Sequence, residues 1–259
     1  MNALVRNIVI TVCGCLLAAC ILLAFTAGVS ARKVMVCSGI DIVIADSLEN
    51  SFVTKADVKG FLDKEYGQYI GTALDSIDLR KVEEIIDGRS AVKKSEAYVT
   101  KDGLLHVSVT QRRPVVRFHK NGGGFYADAE GFIFPLQSNY ASHVQVIDGN
   151  IPLSAGSGDK GLIEDPKEMA WFRNVMNLVN TLEKSRTWKD KIVQMSVNSD
   201  GNFVLVPREG KEVFIFGQPT DVASKLEKME KYYTHIVPQK GKDRYREVDV
   251  RFEGQIVCR

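Results

Sequence analysis

Between Arg6 and Arg32 the chain carries no charged residue, and the 25 positions from Asn7 to Ala31 are filled largely by Ile, Val, Leu, Ala and Cys. At about 1.5 Å of rise per residue, a helix of that length exceeds the ~30 Å hydrocarbon core of a bilayer. The pattern predicts one membrane-spanning helix over residues 8–31, behind a short head of residues 1–7. Beyond it, apolar positions recur at strand or helix spacing. Val34-Met35-Val36-Cys37 and Ile40-Asp41-Ile42-Val43-Ile44 read as an extended segment bent at Ser38-Gly39. Thr54 with Asp57 three residues on gives a capping-box start, and Val58, Phe61 and Leu62 follow at helical spacing, with an end near Gly67. Asp78 caps a second helix, Leu79 to Asp87, whose Leu79, Val82, Ile85 and Ile86 share one face before Gly88 stops it. Ala97 and Val99 alternate with polar neighbours, Lys101-Asp102-Gly103 turns the chain, and Leu105, Val107 and Val109 alternate on the return. The order strand, helix, helix, strand, strand predicts a small α+β module over residues 34–113. Both helices lie on one sheet face, and Phe61, Leu62, Val82, Ile86, Val107 and Val109 form its expected core.

Pro114 removes a ladder donor inside a strand-like run, which suits a joint between two units. The second unit, residues 114–259, reads as a strand-rich α+β domain. Gly122-Gly123-Gly124 is a hairpin turn rather than a phosphate loop, because no Gly-Lys-Ser/Thr follows. Asp128 and Glu130, beside Gly131, are assigned to turn chemistry rather than to a metal or an acid/base pair. Val144 to Ile147 is a short strand, and Ser154 to Lys160 a Gly/Ser-rich loop. Asp165-Pro166-Lys167-Glu168 starts a helix with Phe172, Val175, Met176, Val179 and Leu182 on its buried face. Ile192–Val197, Phe203–Val206 and Val213–Phe216 form a meander. Pro219-Thr220-Asp221 opens another helix, burying Val222, Leu226, Met229 and Tyr233 while Lys225, Glu227, Lys228, Glu230 and Lys231 decorate a solvated face. Glu247 to Val257 is expected as a closing strand in which Val248, Val250 and Phe252 alternate with Glu247, Asp249, Arg251 and Glu253.

Charge then excludes one class of function. Lys plus Arg number 34 against 32 for Asp plus Glu, a net charge of +2, so there is no global excess to hold nucleic acid phosphates. Two processing patterns compete with a retained anchor. Val29-Ser30-Ala31 resembles a signal peptidase site, but the apolar run before it is longer than a usual signal core. Leu17-Ala18-Ala19-Cys20 resembles a lipobox, but Ile21 to Phe25 follows where a polar tether belongs. Cys37 and Cys258 are the only cysteines beyond the apolar segment, which gives no metal spacing and no disulfide framework. His106, His119, His143 and His235 are scattered, and no Gly-x-Ser-x-Gly elbow occurs. No enzyme activity and no cofactor are expected. An envelope glycosidase working through carboxylates leaves no spacing signature and stands as the enzymatic alternative, beside a secreted or lipidated surface-binding protein.

The strand-helix-helix-strand-strand module behind a single apolar span leads into Thr110-Gln111-Arg112-Arg113-Pro114-Val115-Val116-Arg117-Phe118. Phe125-Tyr126-Ala127-Asp128-Ala129-Glu130-Gly131-Phe132 and Val248-Asp249-Val250-Arg251-Phe252 follow in order. Together these resemble the bacterial cell-division family FtsQ, also called DivIB. The resemblance implies a POTRA module next to the membrane and a β domain beyond it. It also implies an inner-membrane protein with a short cytoplasmic head and a periplasmic ectodomain, located at the division septum. Its implied partners are the single-pass FtsB/DivIC-like and FtsL-like division proteins, with no nucleic acid or small-molecule substrate. A closing strand with a free edge can accept a partner strand, so the candidate partner-binding residues are Val250, Arg251, Phe252, Gly254 and Gln255. Of these, Arg251, Phe252 and Gly254 are the positions the resemblance points to. The plainer reading makes Phe252 core and Arg251 a solvated edge charge.

Overall fold

The computed structural model describes residues 12–23, 35–47, 51–120 and 122–259. Residues 12–23 are helical and exposed. Most of the expected head and parts of the expected span fall outside the described residues, among which no helix is long and apolar enough to cross a membrane.

The N-terminal sheet has three strands, β1 (Gly39–Ile44), β2 (Val92–Val99) and β3 (Leu104–Gln111), in the order β1-β3-β2. β1 runs parallel to β3 because two helices cross over between β1 and the β2–β3 hairpin, α1 (Lys55–Glu65) and α2 (Leu79–Asp87). Thr54 and Asp57 close the capping box that starts α1, and the Asp78 carboxylate accepts from the Lys81 N–H to start α2. Val58 and Leu62 of α1 and Val82 and Ile86 of α2 bury against Leu105, Val107 and Val109 of β3. Phe61 is only half-buried, its ring covered by the Arg89 guanidinium 4.1 Å from the centroid.

The C-terminal sheet is mixed and ten-stranded. Its strands are β4 (Pro114–Lys120), β5 (Gly123–Asp128), β6 (Phe132–Pro135), β7 (Gln145–Gly149), β8 (Gly161–Leu162), β9 (Ile192–Val197), β10 (Phe203–Pro207), β11 (Val213–Gly217), β12 (Glu247–Asp249) and β13 (Val257–Cys258). They lie in the order β13-β12-β11-β10-β9-β7-β4-β5-β6-β8. β4, β7 and β9 are mutually parallel neighbours, and β12 is parallel to β11. The crossover helices α3 (Pro166–Lys184) and α4 (Val222–Lys231) bring Phe172, Val175, Val179, Leu226 and Met229 into one core with Phe118, Met195, Leu205 and Phe214. Asp165 caps α3 with Pro166 in its first turn. Asp221, in contrast, precedes α4 in the left-handed conformation (φ 51°) and makes no side-chain cap. Beyond Lys231 the helix widens into a π segment, Tyr232–Ile236, before a last short turn at Val237–Lys240.

Lys225 departs from its expected place on a solvated face. It is buried, its Nζ donates to the Gln218 carbonyl at 2.7 Å, and it lies over the Phe216 ring. That burial pushes its ammonium pKa down.

The two sheets meet through a built contact. Tyr126 and Phe134 of the C-terminal sheet turn their side chains into the core of the N-terminal module. Asp128 accepts from the Glu130 and Phe132 N–H groups and from Arg112 Nη1 at 3.0 Å, while the Arg112 guanidinium stacks on Phe132. Lys93 pairs with Glu130, and Lys160 Nζ donates to the Gly88 carbonyl. Asp128 thus serves the turn and joins the two sheets at once.

Candidate partner-binding surface

The five sequence-predicted residues follow the short strand β12. Glu247–Asp249 pairs in parallel with Val213–Ile215, and the Val250 N–H donates to the Ile215 carbonyl at 3.1 Å. Val248 and Val250 point into the helix-covered core and are fully buried. The expected strand from Glu247 to Val257 is not formed as one element. The chain turns at Phe252-Glu253-Gly254, with Gly254 at φ +67°, and returns as β13, which pairs antiparallel with β12. Arg259 closes the pair: its N–H donates to the Glu247 carbonyl, and its carbonyl accepts from Arg246 and Glu247. The edge of β12 is therefore covered by the chain itself. The open edge belongs to β13, and Arg251, Phe252, Gly254 and Gln255 lie in the connection between the two strands.

Within that connection the polar pairing is specific. The Arg251 guanidinium grips the Asp249 carboxylate with two bonds, Nε to Oδ1 at 2.9 Å and Nη2 to Oδ2 at 2.7 Å. The Arg251 N–H adds a third, to Oδ1 at 3.1 Å. Asp249 is 3% exposed because Arg251 covers it. Burial alone would raise its pKa, but the bonds from Arg251 outweigh it and hold the carboxyl below its ordinary range. Gly217 makes room for this arrangement, since a Cβ there would lie 2.8 Å from Arg251 Cγ.

Phe252 is 43% exposed, beside the Arg251 guanidinium 5.5 Å from its ring centroid, and Lys228 Nζ holds its carbonyl at 2.7 Å. Phe252 is therefore not the core residue that strand alternation suggested. Gly254 and Gln255 are exposed, and a Cβ at Gly254 would meet open space. The structure thus brings Arg251 and Phe252 together at the surface and withdraws Val250 from it. Reading along the sequence missed Asp249, Gly217 and Lys228. Asp249 was within reach, because residues two apart on a strand share a face and an acid and a base there can pair.

A family model described as FtsQ/DivIB, C-terminal related, matches residues 113–259, more than half of the chain. The chain belongs to the FtsQ/DivIB family. A second model, for the POTRA-like domain, matches residues 35–110 and covers the three-stranded sheet with its two helices. No curated relative matches the chain. Membership makes this a cell-division protein, and the surface at Arg251 and Phe252 lies within the FtsQ/DivIB-related portion.

Among the described residues, no group of three or more His, Cys, Asp and Glu side chains is placed to hold a metal ion. His106 lies between Asp41 Oδ2 at 3.2 Å and Thr100 Oγ1 at 3.0 Å, stacked on Tyr98. That cluster ties β1, β3 and the β2–β3 turn together across the open face of the N-terminal sheet. Cys37 is buried and Cys258 half-buried, both as free thiols.

Proposed function

We propose that the protein is a bitopic inner-membrane component of the division complex. Residues 8–31 span the bilayer once, the folded portion lies in the periplasm, and it scaffolds septal peptidoglycan synthesis without enzymatic activity of its own. Its partners are single-pass FtsB/DivIC-like and FtsL-like division proteins. The observation that carries this reading is the C-terminal edge of the ten-stranded sheet, where β13 is the last strand and the connection leading into it exposes Phe252. A partner strand added to such an edge gains main-chain hydrogen bonds, and Phe252 and Arg251 supply selectivity. FtsQ/DivIB membership supports the same assignment, because the family is one of division scaffolds.

The test is co-purification of the full chain from detergent-solubilised membranes of dividing cells, with bound proteins identified by mass spectrometry. Small single-pass division proteins should be recovered with the unsubstituted chain and depleted with Phe252→Ala and with Arg251→Glu, provided both variants keep the native circular dichroism. Undiminished recovery with both folded variants moves the partner surface elsewhere. Failure to recover any such protein with the unsubstituted chain refutes the scaffold reading.

A further inference from the structure

The N-terminal module carries an apolar patch at the end opposite its joint with the ten-stranded sheet. Met35, Val36 and Ile70 are 48%, 50% and 45% exposed there. Main-chain bonds hold them in one small ladder. Cys37 N–H donates to the Thr72 carbonyl at 2.8 Å, Gly71 N–H to Cys37 at 2.7 Å and Leu74 N–H to Met35 at 2.9 Å, and Val36 forms a bridge with Ala73. The turn that presents Ile70 is pinned from within. Tyr69 beside it is 2% exposed, its hydroxyl donates to Asp63 Oδ1 at 3.1 Å, and its carbonyl accepts from Thr72 Oγ1 at 2.6 Å. Gly67 and Gly71, both at positive φ, let the chain bend sharply on either side. Ile70 is therefore held outward by a fixed turn.

Chain length decides what this patch faces. Only Arg32, Lys33 and Val34 separate Ala31, the last residue of the apolar segment, from Met35. Even fully extended, those four steps reach about 14 Å. The headgroup layer on each side of the hydrocarbon is itself roughly 5–7 Å thick. Met35, and with it the ladder partner that carries Ile70, is tethered at the bilayer surface. The same short stretch of sequence supplies two basic residues, Arg32 and Lys33, a residue type whose long side chains suit a membrane interface because they bury their stems and keep their charges in water.

We propose that the Tyr69–Thr72 turn, together with Met35 and Val36, rests in the headgroup layer, making the phospholipid surface a contact of the folded module in addition to the span. This rests on the reading of residues 8–31 as a membrane helix. It fixes which end of the N-terminal sheet faces the lipid: Gly39 and Leu104 lie at the membrane, while Ile44 and Val109 lie toward the ten-stranded sheet.

The experiment uses the full chain in phosphatidylethanolamine/phosphatidylglycerol vesicles, prepared with and without bromine on the acyl chains. Ile70→Trp and, as a second probe, Met35→Trp are compared with Leu162→Trp on the far edge strand β8. Emission of the unsubstituted chain, from Trp171 and Trp188, is subtracted. The expected result is a loss of emission in brominated lipid, with a blue-shifted maximum, for the first two probes and no loss for the third. Equal emission in both lipids for Ile70→Trp and Met35→Trp, in a chain that resists alkaline extraction, overturns the inference and leaves the anchor standing. Release of the unsubstituted chain by alkali overturns the anchor, and the inference with it.

Discussion

Phe52 meets Tyr126 edge to face, with ring centroids 5.5 Å apart and planes at 70°, although one lies in the loop after β1 and the other in the ten-stranded sheet. Phe134 and Tyr140 complete the cage around Phe52 at 5.7 and 4.8 Å. The backbone on both sides is tied as well, Val53 N–H donating to Gln111 Oε1 at 2.8 Å and Asn139 Nδ2 to the Phe52 carbonyl at 3.3 Å. A single aromatic side chain from the N-terminal module is thus enclosed by three from the C-terminal one.

Replacing it should loosen both. Phe52→Ala is expected to cost about 3–5 kcal/mol, the usual range for emptying a buried aromatic site. Urea unfolding followed by circular dichroism should show a lower midpoint. Limited proteolysis should show faster cleavage in the loop around Phe52 and near Arg112 to Val116. An unchanged midpoint would mean that the cage carries no stability.

Arg251→Ala removes the cation that holds the Asp249 carboxyl below its ordinary pKa. Because that pKa is lowered in the folded state, the stability from the pair is fully present above the unfolded value, near 3.8, and is lost as pH falls through the folded value. The expected difference between the parent chain and Arg251→Ala is about 1–3 kcal/mol at pH 6, since Arg251 is partly open to water. It should shrink on acidification toward pH 3. Urea titrations of both chains at the two pH values check it, and a gap that is constant with pH contradicts the assignment.

Three phenols resist ionisation. Burial, aided by Asp63, pushes Tyr69 up to about 12; burial and the nearby Glu212 push Tyr232 up to about 12. Tyr233 is pushed higher by burial and by its 2.5 Å bond to Glu212 Oε1. Ultraviolet titration of the folded chain should therefore leave these three of the eight tyrosines protonated at about pH 11. The raised values contribute stability that is complete below the ordinary value of 10.0 and is lost as pH rises from there through about 12. Ionisation of all eight in one step near pH 10 would contradict the packing described.

Gly149 ends β7 at φ +90°, and a Cβ there would lie 2.2 Å from the Val197 carbonyl oxygen. Gly149→Ala should destabilise by on the order of 3 kcal/mol, because rigid backbone stands in the way. Gly158→Ala, with open space around it, should change stability by no more than about 0.5 kcal/mol. Thermal melts of the two variants side by side make the comparison.

Local signals foretold local structure well. Asp78 and Gly88 bound α2 as read, Asp165-Pro166 started α3, and five of the six expected core residues of the first module are fully buried, with Phe61 held back under Arg89. What failed depended on partners distant in sequence. The charged helix neighbours of Lys225 point it to solvent, but the Gln218 carbonyl and the Phe216 ring receive it from outside the helix. Val248, Val250 and Phe252 alternate as a single long strand would, but Glu253-Gly254 turns the chain, with Gly254 at φ +67°, and the run divides into β12 and β13. The strand order of the ten-stranded sheet has no local trace, since β4, β7 and β9 are brought side by side only by long connections.

The π segment at Tyr232–Ile236 has a consequence for the chain as a string of letters. In an α-helix adjacent residues point about 100° apart, so two neighbouring tyrosines cannot serve one cluster equally well. Here the Val237 N–H reaches back five residues to the Tyr232 carbonyl. The widened turn lets Tyr232 and Tyr233 both pack on Phe214, at 5.7 and 5.8 Å. Such a bulge is one residue in excess of the α-helical count. Removing a single residue from this stretch would therefore restore the α-helical count and close the bulge, leaving Val237 onward on its present face and placing the loss on the joint packing of Tyr232 and Tyr233 against Phe214.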